Sequence, residues 1–215
     1  MNRALRVAAA LGTPLLWSNG LLPRLGLDVR GRTVANASAA TVYAFAFAAR
    51  PNWISVRGLR YGLGCASAVA VGYGAAVAFP TTRRIISGFG NRAPEVGAAE
   101  WIALHIPVGT VYSEELIFRG TLNPLLISAF GPRLGMVTGA VAFGLWHIHP
   151  ARVAGDSVTA TIAFTSCTGL LFGWLRRHTD SATAPALLHW AVNAGGVIAA
   201  RASTPINTAG ASREG

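Results

Sequence analysis

Long apolar runs alternate along the chain with short polar segments that carry arginine. Residues 7–22 form the first run, weakened by Pro14 and Gly20 and barely long enough to cross a bilayer. Residues 23–32, with Arg24, Arg30 and Arg32, read as a loop. The next run, 33–49, is rich in small residues and ends at Arg50-Pro51. Arg57 and Arg60 close the following polar segment, where Trp53 fits an interfacial position. Residues 61–79 are the clearest early span, close to the roughly 20 residues that a bilayer requires. Residues 80–96 carry Arg83, Arg84 and Arg92 and are expected to form the longest loop. The run 98–130 is too long for one straight span. Gly120 and Pro124 predict a bend or break just after Arg119, leaving a span and a second short arm. Gly131-Pro132-Arg133 is a turn. A helix over 134–149 is expected to stop at Pro150, with a loop over 151–156. Residues 157–175 are a clean span ending at Arg176-Arg177-His178. The last helix runs from about Ser181 to about Ala200, with Pro185 in its first turns, and a polar, mobile tail follows from Arg201.

This pattern predicts an all-α, polytopic membrane bundle of about seven transmembrane helices. Residues 1–97 supply the N-terminal spans and loops, 98–200 a helical core, and 201–215 a polar tail. GxxxG spacing at Gly135–Gly139 and Gly169–Gly173 allows close helix contacts. Composition agrees with the membrane class: charged residues are 12% of the chain, against about a quarter in soluble proteins. The net charge is +10 and every basic residue is Arg. These arginines lie mostly between apolar runs, where they can meet anionic headgroups. They are spread over many loops rather than gathered with aromatics, which argues against nucleic acid as a partner. Loop Arg totals on alternate sides are nearly equal and leave the orientation open. Arg-only usage with abundant Ala and Gly points to GC-rich bacterial coding, and so to a multi-pass protein of a bacterial inner membrane. Cys65 and Cys167 sit in apolar runs and read as packing residues. Arg3 and Arg6 before the first run resemble a signal peptide, but without a clear cleavage pattern the run reads as a retained helix.

One stretch breaks the apolar pattern: Glu114-Glu115-Leu116-Ile117-Phe118-Arg119. A charge at the centre of a span costs roughly 2.5–3.5 kcal/mol on insertion scales, so charge there points to function. Glu115 and Arg119 are four apart on one helix face and can pair. Glu114 is turned by about 100° and lacks that partner. Burial disfavours the charged form of a free carboxylate, which suits a general base or acid near neutral pH. A bare register-fixing ion pair needs one acid, not two.

Two further polar clusters follow. Phe143 and His147 share a face at the end of one helix; His149 points almost oppositely, so the two His cannot chelate one ion from a regular helix. Alone, His147 reads as an interfacial histidine. His189 and Asn193 are four apart within the last run, and alone they fit interhelical hydrogen bonding equally well. Together the clusters supply a carboxylate and a histidine to activate water, and an imidazole and an amide to hold an oxyanion. The same donors leave a metal alternative: Zn²⁺ held by Glu114, His147 and His189, although no short chelate such as HExxH exists.

The three clusters resemble the motifs of the CPBP family, also called ABI or type II CAAX proteases. EExxxR, FxxxH and HxxxN/D stand here as Glu114-Glu115…Arg119, Phe143…His147 and His189…Asn193, in order and on separate helices. The resemblance covers about residues 98–200. It implies a membrane endopeptidase in which Glu114, helped by His147, activates water, while His189 and Asn193 stabilise the oxyanion. Glu115, Arg119 and Phe143 would brace the site. No cofactor is required on that mechanism, although the family has long carried a metalloprotease label. Its substrates are peptides or proteins that reach the membrane. Eukaryotic members cut after a prenylated Cys, whereas bacterial members are tied to bacteriocin self-immunity or peptide maturation. Two other classes compete. A proton-coupled carrier would use buried Glu and His as a relay, but paired broken helices in corresponding halves are not evident. A silent peptide-binding scaffold would have no need of an intact Glu, His and Asn set.

Overall fold

The computed structural model describes residues 2–49, 51–88 and 95–204, and among these it is helical without strands. Arg50, Arg92 and the tail beyond Thr204 lie outside the described residues. Helix α1 (Arg3–Leu16) passes through a π-helical stretch (Trp17–Leu21) into a last turn (Leu22–Arg24). Pro14 and Gly20 therefore do not end it. α2 (Val29–Ala46) starts earlier than expected because Asp28 caps it, its carboxylate accepting from Gly31 N at 2.7 Å. Arg30 and Arg32 thus stand on the first turn of a helix rather than in a loop. α3 (Val56–Ala78) is capped by Ser55. The expected loop after it begins as a short helix, α4 (Pro80–Ser87), with Pro80 in the first turn, where proline is tolerated.

The run 98–130 forms one unbroken helical rod, α5. It is built from Ala98–Glu100, π-helical Trp101–Tyr112, π-helical Glu115–Leu122 and α-helical Asn123–Phe130. The expected break after Arg119 does not occur. The turn widens to an i→i−5 register, which Ser113 Oγ and Thr121 Oγ1 follow by donating to the carbonyls of Val108 and Leu116. Pro124 falls in the first turn of the α-helical part and interrupts no bond there. π-helical turns are rare, and those inside α-helices are frequent at functional sites. α6 (Pro132–Trp146) stops at His147, and α7 (Ile148–Ala154) starts directly behind it with Pro150 in its first turn. Pro150 opens a helix instead of stopping one. α8 (Val158–Thr179) and α9 (Thr183–Ser203) complete the bundle.

α3 and α8 are long and apolar enough to cross a membrane alone, with mean hydropathies of 1.4 and 1.5. Only 6% of the apolar window of α3 is buried. A soluble core helix would be covered; this one presents its apolar surface outward, as a lipid-facing span does. Among the described residues no other helix passes that combined test, so the count of seven is not established. Cys167 is exposed on α8 rather than packed, and both cysteines are free.

Glycines set the helix spacings. α9 lies along α3, where Gly58 and Gly62 face Ser181 and Leu187. Both expected GxxxG pairs are close contacts: Gly139 meets Asn123, Gly169 meets Ala140, and Gly173 meets Asn123 Nδ2. A Cβ at Gly135 would lie 2.5 Å from Ile127 N, a backbone atom that cannot swing aside. Gly135→Ala is therefore expected to cost about 1–3 kcal/mol in thermal or denaturant unfolding. Gly64→Ala, with nothing within 4 Å of the added carbon, should be neutral or stabilising by up to about 1 kcal/mol.

At its polar end the rod is tied to α2. Arg30 grips Glu100 with two bonds, Nε–Oε1 2.8 Å and Nη2–Oε2 3.1 Å. Buried His105 approaches Glu100 at 3.1 Å and Thr33 Oγ1 at 2.7 Å. The Arg30 bonds, then that of His105, hold the Glu100 carboxyl down to about 2 from an ordinary 4.5. A depressed carboxyl pKa contributes stability above the unfolded value and loses it as pH falls through the folded one. The destabilisation caused by Glu100→Gln should accordingly be full near neutral pH and shrink between about pH 4.5 and pH 2. Melting curves of both proteins across that range check this.

Candidate active site

Glu114 and Glu115 lie in the buried middle of α5, His147 at the corner between α6 and α7, and His189 on α9. Both glutamates, Arg119 and His189 are buried, and His147 keeps 20% of its side-chain exposure. Glu115 and Arg119 pair along the helix at 3.4 Å, as their spacing predicts. Among the described residues, the guanidinium nitrogens find no hydrogen-bond acceptor. Instead the ring faces of Phe143 at 4.1 Å and Phe172 at 4.9 Å enclose the cation, with Phe118 at 5.8 Å. Desolvated cation–π contacts of this kind are worth about 2 kcal/mol or more. Phe143 therefore serves as a platform for Arg119, and its edge also packs on His147 at 4.9 Å.

Glu115 has a second partner that lies beyond any spacing rule: His189 Nδ1 stands 2.8 Å from Glu115 Oε1. A carboxylate there accepts, so Nδ1 of His189 carries the proton. His147 Nδ1 lies 2.7 Å from the carbonyl of Phe143, which can only accept, so it too is protonated at Nδ1. In its neutral form each ring so bonded presents a bare Nε2. The two Nε2 atoms face the same oxygen, Glu114 Oε2, at 3.9 Å from His147 and 3.8 Å from His189. That oxygen is buried and accepts no hydrogen bond from the described residues, while Glu114 Oε1 accepts from Trp146 Nε1 at 3.1 Å. Three basic atoms thus converge on one small space, which suits a species with protons to share. Among the described residues, no three His, Cys, Asp or Glu side chains are arranged to hold a metal ion.

Asn193 is half-buried one turn beyond His189, and its Nδ2 donates to the His189 carbonyl at 3.0 Å. One amide hydrogen is tied to its own helix and the other is left to donate. Sequence reasoning missed Trp146, Phe172 and Phe118 as walls of the site. Trp146 carried a signal in its position beside His147; Phe172, on a helix without a motif, carried none. It also missed a clamp from the π-helical continuation of α1. Ser18 donates to the Trp146 carbonyl at 2.7 Å, and Asn19 bridges the corner. Its Nδ2 donates to the Leu145 carbonyl at 3.0 Å and its Oδ1 accepts from His149 N at 2.8 Å. These bonds satisfy backbone groups freed where α6 ends and α7 begins, and so fix the turn that carries His147.

Fold and geometry together define a helical membrane protein with a buried centre of one unshared carboxylate and two imidazoles. Residues 97–195 match the family described as Type II CAAX prenyl endopeptidase Rce1-like. This segment, just under half of the chain, contains all three motifs and is similar to CAAX-protease-like endopeptidases. No curated protein and no solved structure matched the chain.

Proposed function

We propose that the chain is an intramembrane endopeptidase that hydrolyses a peptide bond with water activated at Glu114. The convergence of Glu114 Oε2 with the two Nε2 atoms supports this reading most directly. Water between them gives a proton to Glu114 as its oxygen attacks the scissile carbonyl. His147 holds that water through Nε2. The developing oxyanion is held by Asn193 and, once its Nε2 carries a proton, by His189, whose ring Glu115 orients through Nδ1. The proton on Glu114 then passes to the amide nitrogen as the C–N bond breaks, giving a carboxylic acid and an amine. The substrate is a peptide or protein whose cleavage site enters the membrane, and the bilayer is a bacterial inner membrane.

In proteoliposomes, a prenylated CAAX peptide and a matched unprenylated transmembrane peptide test the substrate class. Comparing membrane peptides from cells with wild-type protein and with Glu114→Ala searches for others. Activity is expected to survive strong chelation, because Glu114 and His147 act on water directly. Loss on chelation with rescue by Zn²⁺ would instead assign the three converging atoms to a metal.

A further inference from the structure

A cavity of 570 Å³ opens where α1 begins and α8 ends, with Gly120 and Thr121 of α5, the residues that follow Arg119, in its wall. Arg3, Arg6 and Arg176 line it together with Phe47, Pro124 and Leu125, and no acidic residue among those described does. The arginines are held in place. Arg3 donates to the Ser128 and Ala129 carbonyls at 2.7 and 2.6 Å, and Arg6 to the Phe47 carbonyl at 3.1 Å. Arg176 pairs with exposed Asp180 at 2.9 Å, while its Nε is buried without a hydrogen bond among the described residues. Each guanidinium has more donors than these contacts use. The elements that line the cavity also expose large apolar side chains: Leu5 on α1, Phe45 on α2 and Phe130 at the end of α5.

A cationic, partly apolar crevice whose elements expose greasy side chains matches an amphiphile, with an anionic head inside and hydrocarbon outside. We propose that this crevice binds the phosphate headgroup of an anionic phospholipid. Its acyl chains run along Leu5, Phe45 and Phe130. The exposed apolar surface argues for lipid over free phosphate, and basic crevices between spans are the usual form of such sites.

Native mass spectrometry of the detergent-purified chain tests this with phosphatidylglycerol, phosphatidylcholine and inorganic phosphate. Phosphatidylglycerol should be retained at least about tenfold better than phosphatidylcholine, and millimolar phosphate should not displace it. One basic contact near a membrane surface is worth about fivefold in affinity, so Arg6→Gln and Arg176→Gln should each weaken retention by that factor. Arg6→Lys should keep most of it, and Arg84→Gln, on α4, should change nothing. Equal retention of the two lipids by the wild-type chain would overturn the proposal without recourse to any variant. So would displacement by phosphate alone, or undiminished retention by a folded Arg6→Gln, Arg176→Gln double variant.

Discussion

Glu114→Gln lowers peptide cleavage in proteoliposomes by about 10²–10⁴-fold, the range in which a positioned general base contributes. The substitution is nearly isosteric. The glutamine amide still offers an oxygen to Trp146 Nε1, which lies 3.1 Å from Glu114 Oε1, so helix packing is kept. Only the capacity to take a proton is removed. His147→Ala should give a loss in the same range, because its Nε2 lies 3.9 Å from the same carboxylate. The pair is measured as turnover against thermal unfolding. Turnover at the wild-type level in both variants would dismiss the assigned roles. Loss of activity with loss of the melting transition would make Glu114 a packing residue.

Spacing along a single helix was enough to read several parts of this site. Residues four apart meet, and so Glu115 with Arg119 and His189 with Asn193 were legible before any coordinates. The contacts are 3.4 Å for the ion pair and 3.0 Å from the Asn193 amide to the His189 carbonyl. Contacts between helices were not legible, because periodicity says nothing about which face of one rod meets which face of another. The bond from His189 to Glu115, the Trp146 bond to Glu114 and the Phe172 face over Arg119 all belong to that class. The clamp from Ser18 and Asn19 is hidden for the same reason, and it comes from outside the segment matched to the family.

Punctuation residues misled where backbone register could adapt. Pro124 and Pro150 each fall in the first turn of a helical segment, where a missing N–H costs nothing. The i→i−5 register of α5 has no counterpart in the apolar pattern, since every position over 115–122 is buried and no face is singled out. Residues 80–87 looked like a loop because their arginines outweighed their apolar content, yet Pro80 opens a helix there.

Arg119→Ala has the largest expected effect on stability, about 3–5 kcal/mol, because it strands a fully buried Glu115 charge. Most of that cost is the uncompensated anion rather than the lost pair. A double variant separates the two. In Glu115→Gln with Arg119→Met, both charges leave together. The glutamine amide keeps an oxygen for the His189 Nδ1–H, and methionine fills the aromatic cage of Phe143 and Phe172 with a polarisable chain. Stability should return to within about 1–2 kcal/mol of wild type, as it does when buried ion pairs are replaced by packed neutral groups. Catalysis should not return with it. A neutral amide in place of the Glu115 carboxylate orients His189 but brings no negative charge to balance a proton passing through its ring, so turnover should fall while the melting temperature recovers. Restored stability with restored turnover would show that the Glu115 charge serves only to balance Arg119.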